Sequence, residues 1–403
     1  MGKTIKDDIT SNSQADIPWS LFLKDVLVCS LGAYGGPEAH YGVFTSQMVM
    51  KRKYLTEEEL VELIALTTLL PGPSSTQTLL AIGYRTGGPL LALLTFLVWA
   101  LPALAVMTLF SFLSQLLSFL HVSQDGLRYI GPMAVGFIAV AAFNIGKKVT
   151  TDSMTRLLFL SGAMLTFFIR DSWIFPAVLL AGGGVRVLFS GEKDLWQPVT
   201  IRPPWKYLAT FILLALGGLA LSLLWDNRLI HLFENFYRYG YLVIGGGQVV
   251  VPLMYSELVE VNRYMTSKEF LTGFGLVQGI PGPMFSFSAY AGGMAARGGS
   301  ILFQLAGALV GGIGIFLPGI LLIYFVFPIW NGIKGIKGIR IALQGVTAVA
   351  GGLIASAALV LMIKSGLSPD NLLVTALTAA FLLVGWIPAP VVVLLVLAAG
   401  FVF

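Results

Sequence analysis

An all-α polytopic membrane protein is the fold class this sequence predicts: two inverted-topology repeats with broken or re-entrant helical hairpins, joined by a single linker transmembrane helix. Three observations predict it. Apolar residues make up 56% of the chain and charged residues only 11%, with a mean hydropathy of +0.84, whereas a soluble domain carries about a quarter charged residues. Apolar stretches at 90–113, 129–146, 174–190, 207–225, 301–327 and 341–363 match the roughly 20 residues of a spanning helix; the strands of a membrane barrel are shorter and alternate in polarity. The second half of the chain repeats the first at an offset of 210 residues, the signature of an internally duplicated architecture.

Taken in order, residues 1–17 are polar and mixed in charge. They lack the short apolar core and small-residue cleavage site of a signal peptide and are expected to form a cytoplasmic tail. The first repeat spans 18–190. It begins with a segment at 18–34, a break at Gly35-Gly36, and a second segment at 37–53. A third segment, 57–70, runs into Pro71-Gly72-Pro73, and a fourth, 74–86, leaves it. Longer apolar segments complete the repeat. A linker at 191–226 holds the polar stretch EKDLWQPVTIRPPWK and one apolar run without a counterpart, 207–225. The second repeat, 227–403, reuses the parts. Gly245-Gly246 falls on Gly35-Gly36, Tyr264, Thr266 and Glu269 on Tyr54, Thr56 and Glu59, and Pro281-Gly282-Pro283 on Pro71-Gly72-Pro73. LPGILL at 317–322 pairs with LPALAV at 101–106 after a small drift in register.

An even number of crossings per repeat and one linker helix between them would invert the second repeat. The basic residues agree. Lys147, Lys148 and Arg156 flank one loop of the first half, Arg186, Lys193, Arg202 and Lys206 the linker, and Lys334, Lys337 and Arg340 a loop whose first-half equivalent holds only Asp125 and Arg128. Cytoplasmic loops carry the excess of Lys and Arg. The N-terminus is therefore expected in the cytoplasm and the C-terminus outside. Lys51, Arg52 and Lys53 end the second segment on the cytoplasmic side too, so the first two segments form a hairpin. About sixteen helical residues cover roughly 24 Å, short of a full hydrocarbon core. The same reasoning makes 57–86 a hairpin with the proline pair at its tip; a full crossing with a break midway is the competing arrangement.

Non-helical backbone at membrane depth belongs against protein or a watery cavity, and broken helices in inverted repeats mark a transporter's central site. Pro37, Pro73 and Pro283 stand at or near the start of the helix that leaves each break, where the missing N–H costs nothing. Each outgoing helix then aims free N–H groups and its positive dipole end at the break, an arrangement that binds anions. The residues that follow add hydroxyls and amides: Ser74, Ser75, Thr76 and Gln77 in the first half, and Gln248, next to Gly247, with Ser286 and Ser288 in the second. Neutral donors suit a hydrated oxyanion that must bind and leave. Glu38, His40 and Glu257 are candidates for a coupling proton, because ionisable groups inside a membrane are functional by default. Glu57, Glu58, Glu59 and Glu62 read instead as helix-start acids, and Arg85 and Arg297 as interface anchors. The lone Cys29 excludes an intramolecular disulfide and a cysteine-rich metal site and reads as a packing residue. No nucleotide-binding loop, zinc signature or nucleophile motif is present, so neither an enzyme nor ATP-driven transport within this chain is expected, and the net charge of +5 reflects loop topology rather than nucleic-acid binding.

GAYGGPEAHYGVF, KYLTEEELVELIALTTLLPGPSSTQ, VIGGGQVVVPLMYSELVEVNRYMTSKEFLTGFGLVQGIPGP and the LP motifs together resemble the chromate ion transporter family in its long, two-repeat form. The resemblance covers nearly the whole chain after the polar N-terminus. It implies movement of chromate across the cytoplasmic membrane, as efflux giving chromate resistance, with sulfate as the similar competitor. The matching positions are Gly35-Gly36-Pro37 with His40, Pro71-Gly72-Pro73, Gly245-Gly246-Gly247-Gln248, Glu257 and Pro281-Gly282-Pro283. Three positions depart from the family pattern: Tyr34 where Phe is usual, Glu38 where a small residue is usual, and Gln47 where an acid is usual. Chromate or sulfate, the lipid bilayer and a proton are the expected partners, and a homodimer is compatible with the sequence. A passive oxyanion channel and a sulfate transporter are the alternatives.

Overall fold

In a computed structural model of the chain, residues 17–119, 125–169, 171, 173–192, 194–196, 198–244 and 247–402 are described, and among these every regular element is a helix. In the first half α1 (Trp19–Gly32) runs into the Gly35-Gly36 break, and α2 (Pro37–Phe44) leaves it and continues as a π-helical stretch, Thr45–Lys51. Helix α3 (Glu57–Leu69) starts on a capping box: Thr56 accepts from the Glu59 N–H and Glu59 from the Thr56 N–H, which satisfies two free donors reciprocally. Helix α4 (Ser74–Phe119) leaves the Pro71-Gly72-Pro73 break and folds back on itself at Gly87-Gly88. Gly88 has φ +76, a conformation L side chains avoid, and Pro89 then restarts the helix. Past this bend Trp99 Nε1–H donates to Thr76 Oγ1 at 3.0 Å, so the two arms of α4 run side by side. Helices α5 (Ile130–Val149), α6 (Ser153–Phe168) and α7 (Ile174–Leu188) complete the half. At 15 residues, α7 covers roughly 22 Å and is shorter than the span expected at 174–190.

The lone linker helix α8 (Trp205–Leu224) buries only Gly218. The second half repeats the inventory. Helix α9 (Arg228–Leu242) enters a break, a 3₁₀ turn at Gly247–Val250 leaves it, and α10 (Val251–Tyr255) again passes into a π-helical stretch, Ser256–Val261. Helix α11 (Ser267–Val277) starts on the equivalent capping box, Thr266 with Glu269. A 3₁₀ turn, Met284–Ser286, precedes α12 (Phe287–Ala295). Then come α13 (Ile301–Val326), the short α14 (Trp330–Ile333), α15 (Lys337–Ser365), α16 (Pro369–Val384) and α17 (Ala389–Val402). By length and composition, five stretches among the described residues can cross a membrane: Ser74–Leu113, Ile130–Val149, Trp205–Leu224, Ile301–Ile333 and Lys337–Ser365.

Helix α15 packs against α5, α6 and α7 at backbone distance. A Cβ on Gly345 would collide with the Gly182 carbonyl, and one on Gly352 with the Phe159 carbonyl; small residues permit such approach between membrane helices. The two ends of α15 meet different parts of the fold. Near its start, Gly338 N–H donates to Leu195 O of the linker at 2.9 Å, and Lys334 Nζ and Trp330 Nε1 both reach Glu62 Oε1 at the base of the α3–α4 hairpin, at 2.7 and 3.1 Å. At its far end Lys364 Nζ lies 3.6 Å from Glu260 Oε1 at the base of the second-half hairpins.

Candidate functional site

The four breaks meet. Gly72 N–H donates to Val243 O at 2.7 Å, and Gly282 N–H donates to Ala33 O at 2.8 Å. Each proline-flanked tip is thus bonded to the residue that opens the glycine break of the other half, and both donors and both acceptors are 210 positions apart. Gly72 (φ +127) and Gly282 (φ +103) hold conformations that favour glycine. A Cβ at Gly72 would lie 2.7 Å from Gln77 Nε2 and 3.2 Å from Gly319 Cα, and one at Gly282 would lie 3.1 Å from Ala103 Cβ. Ala103 and Gly319 follow Pro102 and Pro318, the prolines inside α4 and α13. The tips therefore converge on the middles of those two long helices. Gly245 and Gly246 lie outside the described residues.

Outgoing helices differ between halves. Pro37 is the first residue of α2, with Gly36 (φ +97) before it. Pro73 immediately precedes α4, whose first intrahelical bond, Gln77 N–H to Pro73 O, leaves the N–H groups of Ser74, Ser75 and Thr76 at the open end. The expectation that every outgoing helix aims its N-terminus at the break needs correction. In the second half both exits open as 3₁₀ turns, and Gly247, Met284 and Phe285 stand where the first half has Pro37, Ser74 and Ser75. The first of those turns has lost the proline, and the second keeps Pro283 but has lost the hydroxyls that favour a helix beginning.

Side chains sharpen the asymmetry. His40 Nδ1 and Ser75 Oγ are 3.0 Å apart, and the His40 ring meets the Trp99 ring edge-on at 5.3 Å. Trp99 also binds Thr76 through Nε1, and its carbonyl accepts from Ser30 Oγ at 2.8 Å. One tryptophan, by ring and carbonyl, thus ties α1, α2 and both arms of α4. Gln77 Nε2 donates to Pro71 O at 2.8 Å and Gly319 O at 3.3 Å, which fixes the amide's orientation and clamps the tip to α13. The corresponding second-half residues are Val250 for His40, Phe285 for Ser75, Phe287 for Gln77, Gly240 for Ser30 and Ile315 for Trp99. Within the run matching Ser74–Gln77, only Ser286, opposite Thr76, keeps a hydroxyl. Ser288 Oγ donates to Phe285 O within its own turn, and Gln248 Nε2 contacts Met284 Sδ at 3.8 Å.

Glu38 and His40, two residues apart, part company. The Glu38 side chain is 83% exposed and 3.9 Å from Lys148 Nζ, whereas His40 is buried; the first turn of α2 points them in different directions. Arg85 and Arg297 are not simple interface anchors: Arg85 pairs with Glu59 and Arg297 with Glu269, the same glutamates that cap α3 and α11. Cys29 is a fully buried packing residue.

Two buried carboxylate clusters went unread in the sequence. Asp25 accepts from Gln47 Nε2 at 2.7 Å and Tyr54 OH at 2.6 Å and lies 2.8 Å from Arg52 Nε. Glu257 accepts from Arg238 Nη1 at 2.6 Å, Arg238 Nη2 at 3.0 Å and Tyr239 OH at 2.6 Å, and Arg238 also donates to Glu234 and Asn235. Gln47 and Glu257 occupy one repeat position, Asp25 and Asn235 another. Carboxylate and amide have exchanged places between the halves, which accounts for Gln47. A lone acid inside the apolar α1 was the available signal for Asp25. Among the described residues no group of His, Cys, Asp and Glu could hold a metal ion.

A family model described as Chromate transporter matches residues 19–187 and 230–402. The chain is 26% identical over 380 residues to a probable chromate transport protein of Synechococcus elongatus, covering 93% of each. It is 27% identical to a chromate transport protein of Cupriavidus metallidurans, covering 87% of this chain and 84% of that one. It is 24% identical to an uncharacterized transporter of Methanocaldococcus jannaschii, with 83% and 82% covered. No solved structure matches.

Proposed function

The chain belongs to the chromate transporter family, a multi-pass membrane protein that moves chromate, and from that premise we propose that it works as a secondary active transporter exporting chromate across the cytoplasmic membrane, with sulfate as a weaker substrate. The observation that carries the mechanism is the pair of reciprocal bonds, Gly72 to Val243 and Gly282 to Ala33. They put four helix breaks at one centre, where helix starts and neutral donors face an oxyanion. The anion is held mainly by the first half, on the N–H groups and hydroxyls of Ser74, Ser75 and Thr76 with His40 and Gln77 beside them; Ser286 and Gln248 complete it from the second half.

Alternating access follows from two inverted repeats rocking about this centre. In support of inversion, the bases of the first-half hairpins, the linker and the Lys334–Lys337 turn gather at one end of α15, and the bases of the second-half hairpins at the other. With the basic end in the cytoplasm, the N-terminus lies inside and the C-terminus outside in this reading, and the two repeats are taken as 18–190 and 227–403. A proton is the proposed coupling ion. Purified protein in proteoliposomes will accumulate labelled chromate against its gradient when a pH gradient is imposed, and a protonophore will abolish the accumulation. Flux that only ever follows the electrochemical gradient would mark a channel and sink the proposal.

A further inference from the structure

Four buried side-chain polar atoms have no hydrogen-bond partner among the described residues: His40 Nε2, Arg52 Nε, Gln77 Oε1 and Ser286 Oγ. Arg52 Nε is 2.8 Å from Asp25 Oδ2 and is ion-paired. The other three all belong to residues that flank the breaks. Their exposures are 2% for His40, 1% for Gln77 and 0% for Ser286. A buried polar group left unpaired is unfavourable, so three of them on converging tips call for a ligand that satisfies them.

His40 is the informative one. Its ring is held on two sides, by Ser75 Oγ at Nδ1 and by the Trp99 ring, so Nε2 points where those contacts put it. The charged groups on every element packed around it are engaged elsewhere. On its own helix Glu38 is exposed beside Lys148, itself at the end of α5. On α1 Asp25 takes Gln47, Tyr54 and Arg52, and Lys24 and the α2 continuation's Lys51 are exposed. On α4 Arg85 pairs with Glu59. The titratable Tyr41 faces Ser74, Thr67 and Thr78. Among the described residues, no carboxylate stands ready to balance a charged imidazole here.

A buried cation without a counter-ion is strongly disfavoured, and an oxyanion on the adjacent helix start supplies one. By linkage, each then strengthens the binding of the other by the same factor. Glu38 does not fill this role, since its exposed side chain lies beside Lys148, nor does Glu257, whose oxygens already accept from Arg238 and Tyr239. Resting on the reading that the breaks hold an oxyanion, we propose that His40 takes up one proton together with that anion, so that the occupied site carries the pair. Nε2–H then donates to the anion, Nδ1–H to Ser75 Oγ, and Ser286 Oγ donates from the facing tip. Gln77 Oε1, an acceptor only, takes the O–H whenever the shared proton sits on the anion. Proton and substrate meet at one place, and the occupied site carries one negative charge fewer than the anion alone.

Sulfate and selenate carry no proton near neutrality, so any pH dependence in their binding belongs to the protein. Binding of each to the purified full chain is measured by calorimetry between about pH 5.5 and 8.5, in buffers of different ionisation enthalpy. The expected result is a dissociation constant that rises about tenfold per pH unit in the upper part of the range, with one proton taken up per anion. His40→Gln is expected to bind with an affinity that no longer varies with pH, and Ser75→Ala to bind more weakly with the slope retained. Flat wild-type binding, or a slope that survives in His40→Gln, overturns the assignment. Binding of chromate without either fully ionised anion also overturns it, because the proton then travels on the ligand. If His40→Gln fails to fold, the wild-type proton count decides alone: zero sinks the proposal. Absence of all anion binding instead sinks the anion site itself.

Discussion

At the scale of single residues, the two halves share a skeleton and differ in what hangs from it. Ser75 spends its hydroxyl on His40 and Ser288 spends its own on the carbonyl of Phe285. A hydrogen bond contributes about 0.5–1.5 kcal/mol, so Ser75→Ala is expected to raise the half-saturating chromate concentration roughly three- to tenfold, while Ser288→Ala leaves it unchanged; proteoliposome flux over a range of chromate concentrations checks both. The carboxylate exchange makes a second prediction. Asp25→Asn removes the counter-charge of Arg52, and Gln47→Glu adds an acid beside Asp25, so each single change destabilises, by about 3–5 kcal/mol where a buried pair is broken. The double variant recreates the amide-and-acid order of Asn235 and Glu257, and is expected to unfold at a higher temperature than either single variant in detergent. None of this pairing was legible in the sequence, because the repeat alignment sets Asp25 against Asn235 without revealing that Gln47 lies across from it. His40, Ser75 and Gln77 could be singled out from their places after the breaks, but their unpaired atoms could not.

Elements were easier to read than their partners. The glycine pairs, the proline-glycine-proline tips and the Thr–Glu capping boxes are local devices, and local chemistry is visible along a chain. What the sequence could not carry was that each tip is bonded to the opposite half's break, since no periodicity encodes a contact across the duplication. Backbone conformation and crowding can be separated by substitution. Gly88→Ala meets only a φ of +76 with open space around it, and is expected to lose about 1–2 kcal/mol while keeping transport. Gly72→Ala meets φ +127 together with Gln77 and Gly319, and is expected to abolish transport although the protein still inserts in the membrane; flux and membrane yield, measured side by side, check the contrast. Gly352→Ala drives a methyl into the Phe159 carbonyl of α6. Overpacking of this kind costs about 1–3 kcal/mol, to be read as a lowered unfolding temperature.

For the whole molecule, composition announced a membrane protein and the 210-residue offset announced its duplication, because both are sums over many residues and survive local error. Orientation rests on fewer charges, and labelling can test it. In a Cys29→Ser background, a cysteine placed at Ser190 or Val402 is expected to react with a membrane-impermeant reagent from the cytoplasmic side and from the outside, respectively; labelling of both from one side would contradict the inverted arrangement. The reciprocal bonds at the centre also set a schedule for biogenesis. Gly72 N–H has no mate until Val243 has been made, and Ala33 O waits longer still for Gly282. At ribosomal speeds that interval is on the order of ten seconds or more. Through it the newborn first half carries naked amides and carbonyls at its middle, which lipid cannot satisfy. It must therefore linger beside water or the insertion machinery, and the moment of greatest danger to this protein comes during synthesis, before its second half arrives.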